Sequence, residues 1–264
     1  MTRLSSRLGR LIGVSLGPGD PGLITRRAWD VLHSGARWTY PVKKAGDESY
    51  ALDIVLRAGL ALPGDAVPLV FPMTTYVDVL ARAWASAASQ TLALLQEGRD
   101  VLFLVEGDAS TYATFVHLAR VVRELESTVE VETVAGVSSF AASAARTGVP
   151  LADSDDTFAV VPANYGVAFI ERLLADFDTL VLLKVKPQLD AVIDLLARRG
   201  LLDEACFVEK VGTPDERVIT DVASLKGTTV SYLSLLLIRH PHRERGELLR
   251  GCRARPQAAG AAVA

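Results

Sequence analysis

A glycine-rich turn follows the first apolar run of the sequence and is the first place where chemistry could occur. The stretch GVSLGPGDPG at 13–22 looks at first like a phosphate-binding turn, in which backbone N–H groups hold the anion. Its glycines follow G-x-x-x-G-x-G, whereas a dinucleotide site needs G-x-G-x-x-G and a P-loop needs a Lys-Ser/Thr pair. Pro18 also lacks an N–H donor. Phosphate binding is therefore not predicted, and a purely structural turn and the wall of a ligand cleft both stay open.

Two further strand-to-helix stretches carry polar side chains. VEGDASTYATF at 105–115 places Glu106 and Asp108 directly after an apolar run. Because ligands bind at the carboxyl ends of parallel strands, this loop and the glycine-rich turn could line one crevice. Asp108 is the carboxylate best placed to hold a polar ligand, and capping of the next helix is the alternative. The same two interpretations apply to Ser138 and Ser139 in AGVSSF at 135–140.

The remaining candidate residues are weaker. Lys43 and Lys44 are adjacent in the loop YPVKKAGD, where such a pair is usually just solvated. The four histidines show no metal-ligand spacing with Cys or carboxylates, so no metal is predicted. The sequence contains no G-x-S-x-G motif and no clear nucleophile with a base. Any chemistry is therefore predicted to proceed without a covalent intermediate.

These stretches are predicted to lie between the elements of an α/β fold. Apolar runs typical of strands alternate with helical periodicity, which indicates a largely parallel sheet. Helices are predicted at 78–97, 111–126 and 187–199, and another after the glycine-rich turn, with Asp20 as its cap and Pro21 in its first turn. Strands are predicted at 10–16, 36–41, 67–71, 101–105, 129–134, 157–161, 179–185, 205–211 and 230–238.

Composition limits the class of protein. Half of the 264 residues are apolar, 22% are charged and the net charge is −3, so no basic face for nucleic acid is expected. The N-terminal stretch lacks a secretory h-region, and the apolar run at 232–238 is too short to span a bilayer. Cys206 and Cys252 cannot form a disulfide framework. We therefore expect a soluble cytoplasmic protein without a nucleic-acid or membrane partner.

The stretch VAGVSS near the middle of the chain predicts a domain boundary. We expect an N-terminal α/β domain at 1–134 and a C-terminal α/β domain at 135–240. The Arg-rich and then Ala/Gly-rich segment 241–264 is predicted to be a flexible tail.

Taken in order, GVSLGPGDPGLIT, EGDASTYATF, AGVSSF and TLVLLKV resemble the S-adenosylmethionine-dependent tetrapyrrole methylases over residues 10–238. The resemblance implies two α/β domains with mixed, mainly parallel sheets and a cofactor cleft between them, often in a homodimer. YPVKKAG, PLVFPMT and the segment VGTPDERV to SYLSLLL are most similar to members that methylate the C-20 meso carbon of precorrin-2 in cobalamin synthesis. A cobalt-containing substrate, another ring position and a catalytically silent homologue stay open.

The resemblance also implies roles for individual residues. Lys43 and Lys44 would bind the substrate's acetate and propionate groups, and Asp20 and Tyr112 are the candidates for a base. The usual loop sequences of the family are GDPSFYST and PGVSS. This sequence departs from them at Ala109, Thr111, Ala113 and Ala135, which predicts looser loops. The cofactor contacts carried over from the family are Pro18, Glu106, Asp108, Thr111, Ser138, Ser139, Lys184 and Gly212.

Overall fold

The computed structural model describes residues 7–243, which form two five-stranded sheets flanked by helices. The first sheet is wholly parallel, and its strands pair in the order β3-β2-β4-β1-β5. Its members are β1 (Leu11–Ser15), β2 (Arg37–Val42), β3 (Val67–Val70), β4 (Val101–Val105) and β5 (Val131–Val134).

Helices cover both faces of this sheet because side chains alternate along the central strands. Leu102 and Leu104 of β4 pack in one buried cluster with α1 (Arg26–Leu32) and α2 (Tyr50–Arg57). Phe103 of β4 packs in the cluster on the opposite face with α3 (Val77–Leu95) and α4 (Thr114–Leu125). Burial on both faces explains why β1 and β4 appear in the sequence as unbroken apolar runs.

The second sheet is mixed and has the order β6-β7-β10-β8-β9. β6 and β7 are parallel, whereas the β7–β10, β10–β8 and β8–β9 pairs are antiparallel. The predicted α/β class is therefore confirmed, with parallel pairing concentrated in the first sheet. The strands are β6 (Phe158–Pro162), β7 (Thr179–Leu183), β8 (Ala205–Glu209), β9 (Arg217–Ile219) and β10 (Ser234–Arg239).

Three helices accompany the second sheet. α5 (Ser139–Thr147) packs through Ala142 on one face, and α6 (Val167–Asp176) and α7 (Leu189–Arg199) pack on the other. The last strand of the first sheet ends at Val134, and the next helix, α5, packs on the second sheet. The proposed division into domains between residues 134 and 135 stays a prediction.

Two predicted helix starts are wrong, for identifiable reasons. Asp20 accepts the Gly22 N–H at 2.8 Å and caps a short 3-10 turn, whereas α1 begins later, at Arg26, and is capped by Thr25. The helix predicted from 111 begins at Thr114, because Tyr112 has a left-handed backbone with φ of 53°. β9 has no counterpart among the predicted strands.

Most of the predicted tail 241–264 lies outside the described residues, and so does Cys252. In the part of the tail that is described, Arg243 pairs with the buried Asp178, with 3.0 Å between Nε and Oδ1. No helix in residues 7–243 combines the length and the apolar character that crossing a bilayer requires. Across the same residues, no three or more His, Cys, Asp or Glu side chains are grouped so that they could hold a metal ion.

Candidate functional site

The loops after β1 and β4 are joined by two glycines. Gly107 donates its N–H to the Gly17 carbonyl at 2.8 Å, and Gly17 donates to the Gly107 carbonyl at 3.2 Å. Gly17 and Gly107 have φ angles of 76° and 77°, a backbone conformation that residues with a Cβ rarely adopt. The glycine-rich turn therefore pairs with the next loop of the same sheet edge.

Ser15 connects the loop after β4 to the end of β5. Its buried hydroxyl donates to the Val134 carbonyl at 2.5 Å and accepts the Ala109 N–H at 2.8 Å. A proline at 109 has no N–H and could not make the second bond. This alanine therefore adds a buried tie to the loop, while the loosening expected from the four departures together stays a prediction.

Asp108 holds its own loop and the loop after β5. Its Oδ1 accepts the Ser110 N–H at 2.9 Å, and its Oδ2 accepts the Gly136 N–H at 2.7 Å. Burial acts to raise the pKa of Asp108, but the hydrogen bonds from Ser110, Gly136 and Thr111 outweigh it and lower the pKa overall. Since α4 has no side-chain cap, the capping alternative for Asp108 is wrong.

A cavity of about 370 Å³ lies between the two sheets, next to these tied loops. Its size falls within the roughly 300–1,000 Å³ of small-molecule pockets. Apolar side chains such as Phe103, Leu183 and Leu235 form part of its wall. The predicted site residues that line it are Pro18, Glu106, Asp108, Thr111, Tyr112, Ser138, Ser139 and Lys184.

Four predicted site residues lie outside this lining: Asp20, Gly212, Lys43 and Lys44. Lys43 and Lys44 are exposed just beyond β2, and Lys44 Nζ lies 3.8 Å from Asp47 Oδ1. Asp20 caps the 3-10 turn described above, so the structure gives no support to its role as a base.

Gly212 belongs to the contact between the two halves of the chain. A Cβ on Gly212 would lie 2.5 Å from the Asp20 nitrogen, and a Cβ on Gly19 would lie 2.5 Å from the Val211 carbonyl oxygen. The glycines of the opening turn therefore allow close approach to the loop after β8. Pro18, between them, contributes the turn's surface to the cavity.

Ser138 caps α5 by accepting the Ala141 N–H at 3.4 Å, so the capping interpretation is confirmed for this residue. Ser139 is the first residue of the helix. The hydroxyl of Tyr112 donates to the Val160 carbonyl at 3.1 Å and so links the loop after β4 to the second sheet.

Glu106 differs from the other charged groups of the cavity. It is the first residue after β4 and is partly buried, and burial raises the pKa of its carboxyl to about 7. Within residues 7–243, its carboxylate has no hydrogen bond or ion pair with another protein group.

Among the ionisable side chains that line the cavity, sequence reasoning missed two, Lys210 and Tyr232. Lys210 pairs with Asp215 at 3.0 Å, and the Lys184 ammonium lies 5.9 Å from the centre of the Tyr232 ring. The predicted strand 205–211 enclosed Lys210, whereas β8 ends at Glu209, so the strand-end rule could have found this lysine had the boundary been right.

Backbone strain is concentrated around the cavity. Four residues other than glycine in residues 7–243 have positive φ, and three of them, Tyr112, Lys184 and Lys210, line the cavity. Such conformations persist where the surrounding structure holds them, often at functional sites. Together, apolar walls and a few fixed charges suit the binding and orientation of a polar organic molecule.

Comparisons with known proteins agree with this geometry. Residues 10–226 match the model of the family Tetrapyrrole (Corrin/Porphyrin) Methylases. The chain is 32% identical over 241 residues to the precorrin-2 C(20)-methyltransferase of Sinorhizobium sp, covering 88% of this chain and 95% of that protein. It is 34% identical over 209 residues to the cobalt-precorrin-2 C(20)-methyltransferase of Salmonella typhimurium, covering 79% and 86%.

A solved structure is similar in three dimensions. The uroporphyrin-III C-methyltransferase of Thermus thermophilus, complexed with S-adenosyl homocysteine, superimposes with a TM-score of 0.61 at 25% identity. The match covers 88% of this chain and 92% of that chain.

Proposed function

The chain belongs to the tetrapyrrole (corrin/porphyrin) methylases, and from that premise we propose that it methylates the C-20 meso carbon of precorrin-2 in cobalamin biosynthesis. The methyl donor is S-adenosylmethionine and the product is precorrin-3A. The observation that carries the proposal is the cavity between the sheets, which gathers the polar loop residues of both halves of the chain.

The cavity residues fit the methyl donor. Hydroxyls at Thr111, Ser138 and Ser139 can bind the polar groups of an amino acid and a ribose, and apolar walls suit an adenine ring. When bound, S-adenosylmethionine supplies a methyl group that is already electrophilic, which agrees with a site that needs no protein nucleophile.

The protein's contribution is then orientation and exclusion of water. The ties through Ser15, Asp108 and the Gly17–Gly107 pair fix the loops before any ligand arrives. Fixed positions of two reactants can be worth roughly 7–11 kcal/mol. Apolar lining residues such as Phe103 lower the polarity of the cavity, which favours a step in which a positive charge is lost.

Cationic side chains support a substrate rich in carboxylates. Lys184 and Lys210 line the cavity, and Pro41 of β2 also lines it, two residues before Lys43. We propose that Lys43 and Lys44 meet the acetate and propionate groups of the macrocycle as it projects from the cavity. Exposed ion pairs of this kind are weak individually and sensitive to salt.

We also propose a homodimer in the cytoplasm. Met73, Tyr76 and Val77 are 64%, 71% and 79% exposed in the segment that leads into α3, and a second copy would cover exposed apolar side chains of this kind. Cys206, the one cysteine in residues 7–243, is unpaired, as in reducing compartments. Light scattering coupled to size-exclusion chromatography measures the oligomeric state.

The decisive experiment incubates the purified protein with S-adenosylmethionine and metal-free precorrin-2. Mass spectrometry should show the gain of one methyl group, and carbon-13 from a labelled donor should appear at C-20 by NMR. A parallel reaction with cobalt-precorrin-2 decides which macrocycle is used. Binding of S-adenosylhomocysteine without turnover of either substrate would identify a silent homologue, and binding of NAD instead would overturn the proposal.

A further inference from the structure

Glu106 is the unpaired titratable group of the cavity. The other ionisable side chains that line it are Asp108, Tyr112, Lys184, Lys210 and Tyr232. Asp108 is held by Ser110 and Gly136, Tyr112 by Val160, and Lys210 by Asp215. Lys184 and Tyr232 face each other. Among these groups, the Glu106 carboxylate is the one that has no hydrogen bond, ion pair or ring contact with any partner within residues 7–243.

This isolation has a chemical consequence. Burial without a compensating partner disfavours the charged carboxylate and raises the pKa of Glu106 to about 7. A carboxyl with a pKa near neutrality can accept a proton and release it again within one turnover. It directly follows β4, a fully buried central strand, and this attachment fixes where the proton would be received.

Methylation at a meso carbon requires that a proton leave. The new C–C bond forms at C-20 as the S–CH3 bond breaks, and the sulfonium becomes a neutral thioether. C-20 then carries both a methyl group and its original hydrogen. Loss of this hydrogen as a proton returns the C–H electron pair to the conjugated system. Where the bound substrate and donor displace water from C-20, the protein has to provide the acceptor itself.

We propose that the Glu106 carboxylate is the acceptor of the C-20 proton, which it later releases to solvent as the product leaves. This inference rests on the proposed function and assigns Glu106 a catalytic role in place of the cofactor contact that the family resemblance implied. It also replaces both earlier candidates for the base, because Asp20 lies outside the cavity lining and the Tyr112 hydroxyl donates to Val160.

The test compares the wild-type protein with E106Q, E106D and E124Q. Glu124 is an exposed carboxylate on α4 outside the cavity lining, so E124Q controls for loss of a negative charge. Steady-state rates are measured with S-adenosylmethionine and the accepted form of precorrin-2 from about pH 5 to about pH 9. The dissociation constant of S-adenosylhomocysteine is measured by calorimetry, and folding is checked by thermal unfolding.

We expect kcat/KM of the wild type and E124Q to rise with pH and to level off above about 7, because kcat/KM reports the ionisation of the free protein. In E106Q, kcat should fall by about a hundredfold or more, and kcat/KM should lose this pH dependence. Affinity for S-adenosylhomocysteine should stay the same. E106D keeps the acid on a shorter stem, so it should retain the pH dependence at a reduced kcat. Deuterium at C-20 should slow E106Q more than the wild type, because proton removal becomes limiting.

Three results would overturn the inference. In the first, E106Q keeps the wild-type pH profile and kcat. In the second, E106Q weakens S-adenosylhomocysteine binding while kcat at saturation is unchanged, which would make Glu106 a cofactor ligand. In the third, E106Q fails to fold and the folded E106D loses the pH dependence. A wild-type protein that methylates neither form of precorrin-2 rejects the proposed function as well, so the two failures are distinguishable.

Discussion

Asp108 and Gly136 are joined across the sheet edge by a hydrogen bond of 2.7 Å from the Gly136 N–H to Asp108 Oδ2. The bond connects the loop after β4 to the loop after β5, which are neighbours of β1 on opposite sides. Ser15, at the end of β1, bonds to Ala109 in the first of these loops and to Val134, the residue from which the second loop begins. The cavity is therefore bordered by three loops that are fixed to one another rather than by three independent ones.

Replacing Asp108 with alanine should weaken the binding of S-adenosylhomocysteine by about tenfold, because the two loops lose their connection. Leaving the Gly136 and Ser110 N–H groups without this acceptor should also cost about 1–3 kcal/mol of unfolding free energy. Calorimetry and urea unfolding measure the two effects. Unchanged affinity together with reduced stability would show that Asp108 acts on the fold alone.

The pH dependence of the Asp108 contribution has a definite sign. The pKa of Asp108 is lowered in the folded protein, so the carboxylate stabilises the fold above its unfolded pKa of about 3.9. This contribution is lost as the pH falls through the lower folded pKa. The stability difference between the wild type and D108A should therefore be constant near neutrality and shrink only in strong acid.

Glu106→Gln should stabilise the protein at alkaline pH. The pKa of Glu106 rises from 4.5 to about 7 on folding, so stability falls as the pH increases between these two values. Above about 7 the neutral amide should add on the order of 3 kcal/mol of unfolding free energy. Thermal unfolding of both proteins at about pH 5 and about pH 8 measures the difference. A gain of equal size at both values would contradict the raised pKa.

Gly19→Ala should disturb the contact between the two halves. The added Cβ would lie 2.5 Å from the Val211 carbonyl oxygen, so the opening turn and the loop after β8 must separate. Such overpacking costs about 1–3 kcal/mol, and affinity for S-adenosylhomocysteine should fall with it. Gly64→Ala is the matched control, because nothing lies within 4 Å of a Cβ at that position. Equal behaviour of the two variants would show that the contact is dispensable.

Lys43→Glu/Lys44→Glu should raise KM for precorrin-2 strongly at low salt, because repulsion of the substrate's carboxylates replaces attraction. Affinity for S-adenosylmethionine should barely change, and added salt should reduce the effect. Lys226→Glu is the control, since Lys226 pairs with Asp194 and does not line the cavity. If the double variant turns over precorrin-2 normally at low salt, the two lysines are ordinary solvated residues.

The sequence was sufficient to predict the α/β class and the residues at strand ends. Periodicity reports which segments are buried, and parallel strands bring their carboxyl ends to one edge, so the loops that hold Glu106 and Ser138 could be expected near one another. Lys184 follows a strand of the other sheet, and only the family resemblance predicted it at the same site. Periodicity does not report which strands pair, so the antiparallel β10 in the second sheet was not predicted. β9, with three residues, is too short to leave a periodic signal.

The interactions that fix the site depend on tertiary partners. Ser15 ends an apolar run, and nothing in the run indicates that its hydroxyl bonds to Val134 and Ala109. The departure at Ala109 looked like a loss of rigidity, because the partner of its N–H is distant in sequence. The sequence also could not show that Glu106 is unpaired, because its possible partners are side chains of other elements and only the folded structure shows their distances.

The strand order of the second sheet has a consequence for synthesis of the protein. β10 is the last strand along the described chain, yet it lies between β7 and β8, where Leu236 is opposite both Leu182 and Phe207. Until residues 234–239 have left the ribosome, β7 and β8 each have an open apolar edge that can pair wrongly. The strands of the first sheet all precede residue 135, so that sheet can form during translation. A chain terminated shortly before Ser234 should therefore keep the first sheet folded and expose the divided second sheet to chaperones and proteases.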